Sequence, residues 1–454
     1  MNVFSVQITA ASLEALRALD KFDVDLQRQA AKKIAGRYVV PGLLTEEQIK
    51  LVEAAGYTVE VVADLTPLAA ERKAEVAGVN RFVDERALGD LAERTIGGYM
   101  TAEEVESALV NLKKLYPSMV TVIPLPEQTW EKRRSSAVHV QAGTTPRRVG
   151  VLFTGSMHAR EWGGADACIA FLAGLLNAYA GHTGFTLGAK KFTAAQVQSI
   201  LETVDLFVFP DVNPDGKVYS QTKDVWWRKN RNPNKGLTPA SVGVDLNRNF
   251  DLLWNSGIGT SSSTANEIYR GVVPFSEPEA RNVRYLFDTY PNIRYYVDIH
   301  SYSGLILYPW GDDNNQTTDP KQNFHNPAYD GKRGVVGSGY AEFIPAAEQK
   351  TLVELAKRMN KSLKAVRGTA YSVQQSVGLY PTSGTVDDWV FSRHFLVPAK
   401  PIVYSFTIEF GAEFIPPYAE MRNIIKELNA AMTELCLAAA RAEVAHEHEL
   451  AVVA

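Results

Sequence analysis

Cysteine is almost missing from this chain. Cys168 and Cys436 are the only two among 454 residues, so a disulfide framework is excluded. Both lie in apolar stretches that read as helices, where a free thiol acts as a small hydrophobe. Excess positive charge is lacking too: 47 Lys and Arg against 51 Asp and Glu give a formal charge of −4. That balance argues against a broad polyanion-binding surface, and no nucleic-acid partner is expected. The most apolar window, ACIAFLAGLLNAYAG, is shorter than the roughly 20 residues needed to cross a bilayer. With Asp166 just before it, it reads as a buried helix, and no membrane partner is expected. Internal repeats and low-complexity tracts do not occur. The opening MNVFSVQITAASLEALRALDKF has no basic segment followed by an apolar block, so it does not read as a secretory signal. If this is the native start, the expected compartment is the cytoplasm.

What is present is the composition of an ordinary globular protein, 46% hydrophobic and 22% charged. A chain of this length buries one large core and a smaller one. Residues 1–65 form the smaller unit. VFSVQI alternates as a strand, ASLEALRALDKF has helical spacing, GRYVV is a strand, and LTEEQIKLVEAAG is a helix with Thr45 as N-cap and Gly56 as C-cap. YTVEVVADL is the strand that follows. A charged helical linker is expected over 66–95, with TIGGYM as a junction.

Over 96–454 the pattern changes scale. TAEEVESALVNLKKLYP is a capped amphipathic helix stopped by Pro117, and RRVGVLFTG is an apolar strand. EWGGADACIAFLAGLLNAYAG is a long helix, and VDLFVFPDVNPDG is a strand entering a turn. IRYYVDIHSYSG, LILYPWG and PIVYSFTIEFG are further β-rich runs. Long helices alternating with nearly continuous apolar strands predict an α/β fold. We expect a mixed, mostly parallel sheet of about eight strands with helices on both faces, beside the small N-terminal α/β domain. Ligands in such sheets bind beyond the carboxyl ends of strands.

FTGSMHAREWGG, residues 153–164, sits at one such end and places His158 three residues before Glu161. Alone the pair reads equally as a polar turn entering a helix. A catalytic zinc takes three protein ligands and keeps one position open. His300, which ends RYYVDIH, is the candidate third ligand. Of eight histidines, only His158 and His300 sit at the mouths of apolar strands. His139, inside AVHVQ, reads as structural.

At this point the chain resembles the zinc metallocarboxypeptidases, in their carboxypeptidase A, B and T branches, from about Tyr99 to Arg441. The motifs that carry the resemblance are HARE (158–161), NPDG (213–216), WRKNR (227–231), GVDLNRNF (243–250), HSYSGLILYPWG (300–311), LYPTSGTVDDW (379–389) and YSFTIEF (404–410). They occur in the family's order. The resemblance implies one Zn2+ per chain, held by His158, Glu161 and His300, with Glu409 as general base. A lone carboxylate in an apolar strand also needs a reason to be there, since burying an unpaired charge is costly. By the same resemblance Arg228 polarises the scissile carbonyl, Asn247 and Arg248 clamp the substrate's terminal carboxylate, and Tyr380 closes over the bound residue. Arg160 and Tyr302 are further substrate-binding candidates.

Asp387 matches the position where the basic-specific branch carries aspartate, which implies preference for C-terminal Lys or Arg. Gln375 lies near a position where that branch has a small residue and would partly fill the pocket, so mixed specificity is the rival; alternatively Asp387 merely caps the next segment. Two departures stand out. LPEQTWEKRRSSAVHV replaces a Gly-rich segment, and residues 312–340 are a long polar stretch expected at the surface near the active-site rim. The N-terminal unit resembles a prodomain removed by cleavage between Arg94 and Tyr99, or else it is a permanent accessory domain.

The implied function is a monomeric metallocarboxypeptidase that acts on peptide or protein C-termini and releases single residues. Two alternatives stand beside it. One is a zinc amidohydrolase of the same fold acting on small acylated amino acids or cell-wall peptides. The other is an inactive binding module.

Overall fold

The computed structural model describes residues 2–27, 31–76, 78–84, 98–145, 148–234 and 241–453. The N-terminal unit is a five-stranded antiparallel sheet of β1 (Val3–Ala10), β2 (Asp25–Leu26), β3 (Lys32–Ile34), β4 (Arg37–Thr45) and β5 (Thr58–Asp64). The strand order is β2-β4-β1-β5, with β3 on β4. Its helix Glu46–Ala54 starts on a capping box between Thr45 and Gln48. It stops where Gly56 takes a φ of 92°, a conformation that glycine adopts without strain. Val6, Ile8, Val40, Leu44 and Val52 form a small separate core.

The linker differs from expectation. Among the described residues of 66–95, the helix runs from Thr66 to Ala74, and residues 78–84 form turns and bends. Packing goes with the change: Phe82 is inserted into the main core, and Arg81 forks onto Glu104 at 2.7 and 3.0 Å. The expected cleavage region at Arg94 falls in 85–97, outside the described residues.

The large unit is built on eight strands: β6 (Val120–Pro124), β7 (Ser136–Val140), β8 (Val149–Gly155), β11 (Val204–Phe209), β12 (Ile293–Ser301), β13 (Leu305–Tyr308), β16 (Ser372–Gln375) and β17 (Tyr404–Phe410). A two-stranded hairpin, β9 (Phe185–Leu187) with β10 (Lys190–Phe192), and a short pair, β14 (Asn315–Gln316) with β15 (Glu342–Phe343), stand apart. The order is β16-β13-β17-β12-β8-β11-β7-β6. Four pairings are parallel and three antiparallel, so the sheet is mixed and mostly parallel, as expected. Helices Gly163–Ala180, Ala194–Thr203, Ala346–Arg367 and the helix from Tyr418 pack together, and Val386–Leu396 packs on β12 and β17. Every residue of β8 is buried, which is why the sequence shows an unbroken apolar run there.

The stretch 312–340 is a folded rim. Arg333 is 4% exposed and donates to the carbonyls of Asn323 and Asn326 and to Asp330. The segment that departs from the family pattern is pinned by Asp215, which accepts from Thr129, the Glu131 amide and Arg133 at 2.7–2.8 Å. His139 stacks on Phe207 and pairs with Asp205 at 3.1 Å, a structural role.

Candidate metal centre

β17, β12 and β8 are neighbours running in parallel. Their carboxyl ends therefore lie side by side, and each delivers one part of the site. The chain leaves β8 through Ser156, whose φ is 57°. It then turns tightly into the helix Gly163–Ala180. The turn needs glycine: a Cβ on Gly164 would stand 3.0 Å from Ser156 N and 3.2 Å from Ile299 O. His158 and Glu161 lie in this turn, and His300 lies near the end of β12.

His158 Nδ1 is 2.8 Å from Glu161 Oε1. His300 Nδ1 is 2.9 Å from Glu161 Oε2 and 3.0 Å from His158 Nδ1. All three side chains are buried. Among the described residues, this is the group of His, Cys, Asp and Glu whose ligand atoms converge within 4.8 Å. The far ring nitrogens are occupied, His158 Nε2 by Asp245 Oδ1 at 3.2 Å and His300 Nε2 by Asp298 Oδ2 at 2.6 Å. The two Nδ1 atoms and the carboxylate thus meet at one point, where electron pairs repel unless a cation stands between them. Two imidazoles and a carboxylate are the ligand set of a hydrolytic zinc, so the residues fit the ion. Burial opposes a charge on Glu161, yet His158 and His300 hold its carboxyl far below the usual range. Burial likewise opposes protonation of His300, and Asp298 and Glu161 outweigh it, raising its pKa well above the ordinary value.

Glu409 is the register partner of His300 on β17 and lines the cleft. Its surroundings push its pKa up to about 8, mainly through loss of water, with His300 opposing and Glu161 adding. Arg228 places Nε and Nη2 3.1 and 2.9 Å from Asp245 Oδ2. Asp245 thereby joins the arginine to the zinc-ligand candidate His158, and its Oδ1 also accepts the Asn247 amide at 3.0 Å. Although burial opposes the charge, Arg228 and Arg248 keep Asp245 far below the usual carboxylate range.

Asn247 and Arg248 follow on a short 3-10 turn. Asn247 Oδ1 accepts the Val386 amide at 2.9 Å, and Arg248 Nη2 donates to the Tyr380 hydroxyl at 3.0 Å. Asp387 stands in the first turn of Val386–Leu396, where the N-cap is Thr385, so it is not the cap. It is 4% exposed and lines the cleft with Leu307, Ser376 and Thr407. Ser376 Oγ is 3.1 Å from Asp387 Oδ2. Asp388 turns away and accepts the Gly311 amide at 2.9 Å. The expectation that Gln375 partly fills this pocket fails. Its amide is spent on the carbonyls of Trp310 and Asp313 and on Asn315, at 2.6–2.9 Å.

Arg160 and Tyr302 reach the cleft and meet the N-terminal unit there. Both Nη atoms of Arg160 bond Asp25, its guanidinium lies 4.1 Å over the Phe414 ring, and Tyr302 donates to Gln27 Oε1 at 2.7 Å. Asp25, Leu26 and Gln27 thus roof the cleft, leaving about 80 Å³, well under the ~300–1,000 Å³ of ordinary ligand sites. A roomier cavity of about 710 Å³ lies between Gly163–Ala180 and the helix from Tyr418, away from these residues. Sequence reasoning missed Asp245, Asp298, Asp25 and Gln27. For Asp298 a signal existed, since it is a carboxylate within an apolar run, whereas Asp245 stands in the polar motif GVDLNRNF.

A family model described as zinc carboxypeptidase matches residues 105–431. Mouse (Mus musculus) carboxypeptidase A4 is 30% identical over 314 residues, 69% of this chain and 62% of the relative, so the chain spans less than two thirds of that relative's length. Carboxypeptidase B of Astacus astacus is 28% identical over 313 residues, 68% of this chain and 86% of the relative. In fold the chain is similar to thrombin-activatable fibrinolysis inhibitor, with a TM-score of 0.70 at 22% identity over 97% of this chain and 100% of that one. It is equally similar to carboxypeptidase A of Helicoverpa armigera, at 0.70 and 21% over 97% and 98%. With the model spanning well over half its length, this chain belongs to the zinc carboxypeptidase family.

Proposed function

We propose that the chain is a metallocarboxypeptidase that hydrolyses the C-terminal peptide bond of peptides or proteins and prefers to release Lys or Arg. The observation that carries this reading is one cleft holding the His158, Glu161 and His300 cluster together with Glu409, Arg228, Asn247, Arg248 and Tyr380. His158, Glu161 and His300 would hold a zinc ion, which when bound would supply Lewis acidity and lower the pKa of a water toward about 7. Glu409 takes the proton of the attacking water and returns it to the amine that leaves as the C–N bond breaks. Arg228, fixed on Asp245, offers a charged donor to the carbonyl oxygen as negative charge develops there. Arg248 and Asn247 receive the free α-carboxylate, with a planar guanidinium matched to its two oxygens. That requirement separates an exopeptidase from an amidohydrolase indifferent to a free carboxylate. The buried Asp387, with Gln375 turned away, supports the basic preference.

The N-terminal unit is, in this reading, a cover: Asp25 and Gln27 engage the two residues that would meet substrate upstream of the scissile bond. The test is release of single residues from a peptide library bearing every C-terminal amino acid, each also as its amide, with the cover weakened by Asp25→Ala and Gln27→Ala. Release of Lys and Arg from free-acid peptides only is expected. Equal rates on amides would overturn the exopeptidase assignment, and release of Phe or Leu in preference would overturn the basic one.

A further inference from the structure

Tyr296, Asp298 and His300 alternate along β12 and therefore face the same side of the sheet. On that face the register sets Thr154 of β8 directly opposite Asp298. The four side chains, each 1% exposed or less, form one line of contacts. Tyr296 Oη is 2.7 Å from Thr154 Oγ1, Thr154 Oγ1 is 2.7 Å from Asp298 Oδ1, and Asp298 Oδ2 is 2.6 Å from His300 Nε2.

We propose that Asp298, held by Thr154 and Tyr296, is a positioning residue that fixes His300 with its proton on Nε2 and its Nδ1 lone pair toward the metal. The direction follows from counting hydrogens. A carboxylate buried in the middle of a strand needs a donor on each oxygen. Thr154 has one hydroxyl hydrogen and gives it to Asp298 Oδ1, so the same oxygen must accept from Tyr296. On the other side Asp298 Oδ2 can only accept, so Nε2 carries the proton and Nδ1 carries the lone pair. Asp245 does the same for His158 at 3.2 Å, a longer contact on a carboxylate already shared with Arg228. His300 is thus held by a carboxylate bound to two rigid central strands, the kind of support that keeps a ligand set in register.

The inference rests on the metal reading above, and one zinc titration separates the two. The metal-free full-length chain is titrated with zinc against a chromophoric chelator, for the parent, Asp298→Ala, Asp298→Asn and His158→Ala. The parent is expected to bind one zinc and His158→Ala to lose it; failure of either overturns the metal reading. Asp298→Ala is expected to bind roughly 10- to 100-fold more weakly, with Asp298→Asn between it and the parent. In the zinc-loaded parent the His300 Nε2–H is expected as an exchange-protected, downfield NMR signal that Asp298→Ala removes. Zinc affinity within twofold of the parent in a folded Asp298 variant, or a His300 signal indifferent to it, overturns the inference while leaving the metal reading intact. Should Asp298→Ala not fold, Asp298→Asn and Thr154→Val carry the same comparison.

Discussion

Asp25 Oδ1 lies 3.3 Å from Arg160 Nη2 while its second oxygen bonds Nη1, so a guanidinium two residues from His158 is held by the N-terminal unit. Arg160 is 3% exposed, and salt screens such a pair little. Breaking it should uncover the cleft. Asp25→Ala with Gln27→Ala is expected to raise kcat/KM on a small C-terminal-Lys peptide several-fold, mostly through KM. Steady-state kinetics on the full chain check this; unchanged kinetics would mean that the roof does not hinder substrate.

Glu409 is the register partner of His300 on the neighbouring strand and lines the same cleft as His158 and Glu161. Replacing it by Gln keeps shape and removes the proton acceptor. Loss of a positioned general base costs roughly 10²- to 10⁴-fold. Glu409→Gln should therefore lower kcat by about that factor with KM little changed and with zinc still bound at one per chain. Metal analysis beside the kinetics separates loss of the base from loss of the ion.

These residues were unevenly legible before the fold was known. His158, His300 and Glu409 each close an apolar run, and parallel strands align such ends, so their convergence followed from pattern and family resemblance together. Asp298 was written as plainly, a charge inside YYVDIH, but its partner Thr154 is 144 residues away and only the register of β8 on β12 brings it across. Gln375 was misplaced for a local reason. Its side chain fastens the rim at Asp313 and Asn315, while Ser376, one position on, takes the pocket. The roof formed by Asp25 and Gln27 depends on how two units dock, which no periodicity within either records. At 78–84 the helical expectation gives way to turns because Phe82 belongs to the main core, which composition does not record.

Asp387 gives the specificity prediction. A Lys or Arg side chain entering the pocket would meet a carboxylate held by Ser376 Oγ, and a hydrogen bond to a charged group contributes about 1.5–3 kcal/mol. Asp387→Ala should thus lower kcat/KM for Lys-terminated peptides by roughly 10- to 100-fold and raise it for Leu or Phe. Competition between Lys- and Leu-terminated peptides in one reaction reads the switch directly, and an unchanged ratio would place the selectivity elsewhere.

Beside Asn230, on the loop that carries Arg228, lies a buried pair of carboxyl groups, Glu277 and Glu279. Asn230 Nδ2 donates to Glu277 Oε2 at 2.8 Å and to Glu279 Oε2 at 3.0 Å, and Glu279 is 1% exposed. Burial first, and the charge of Glu277 second, push Glu279 up to about 8. A carboxyl whose folded pKa is raised binds its proton more tightly folded than unfolded. Its contribution is therefore complete below the unfolded value of 4.5 and is lost as pH rises toward 8. Glu279→Gln, which mimics the protonated form, should match the parent in thermal stability near pH 5 and exceed it progressively toward pH 9. Melting temperatures of the metal-free proteins across that range test the sign. A variant that loses ground to the parent as pH rises would mean that Glu279 is ionised and stabilising in the fold, with Asn230 as its donor.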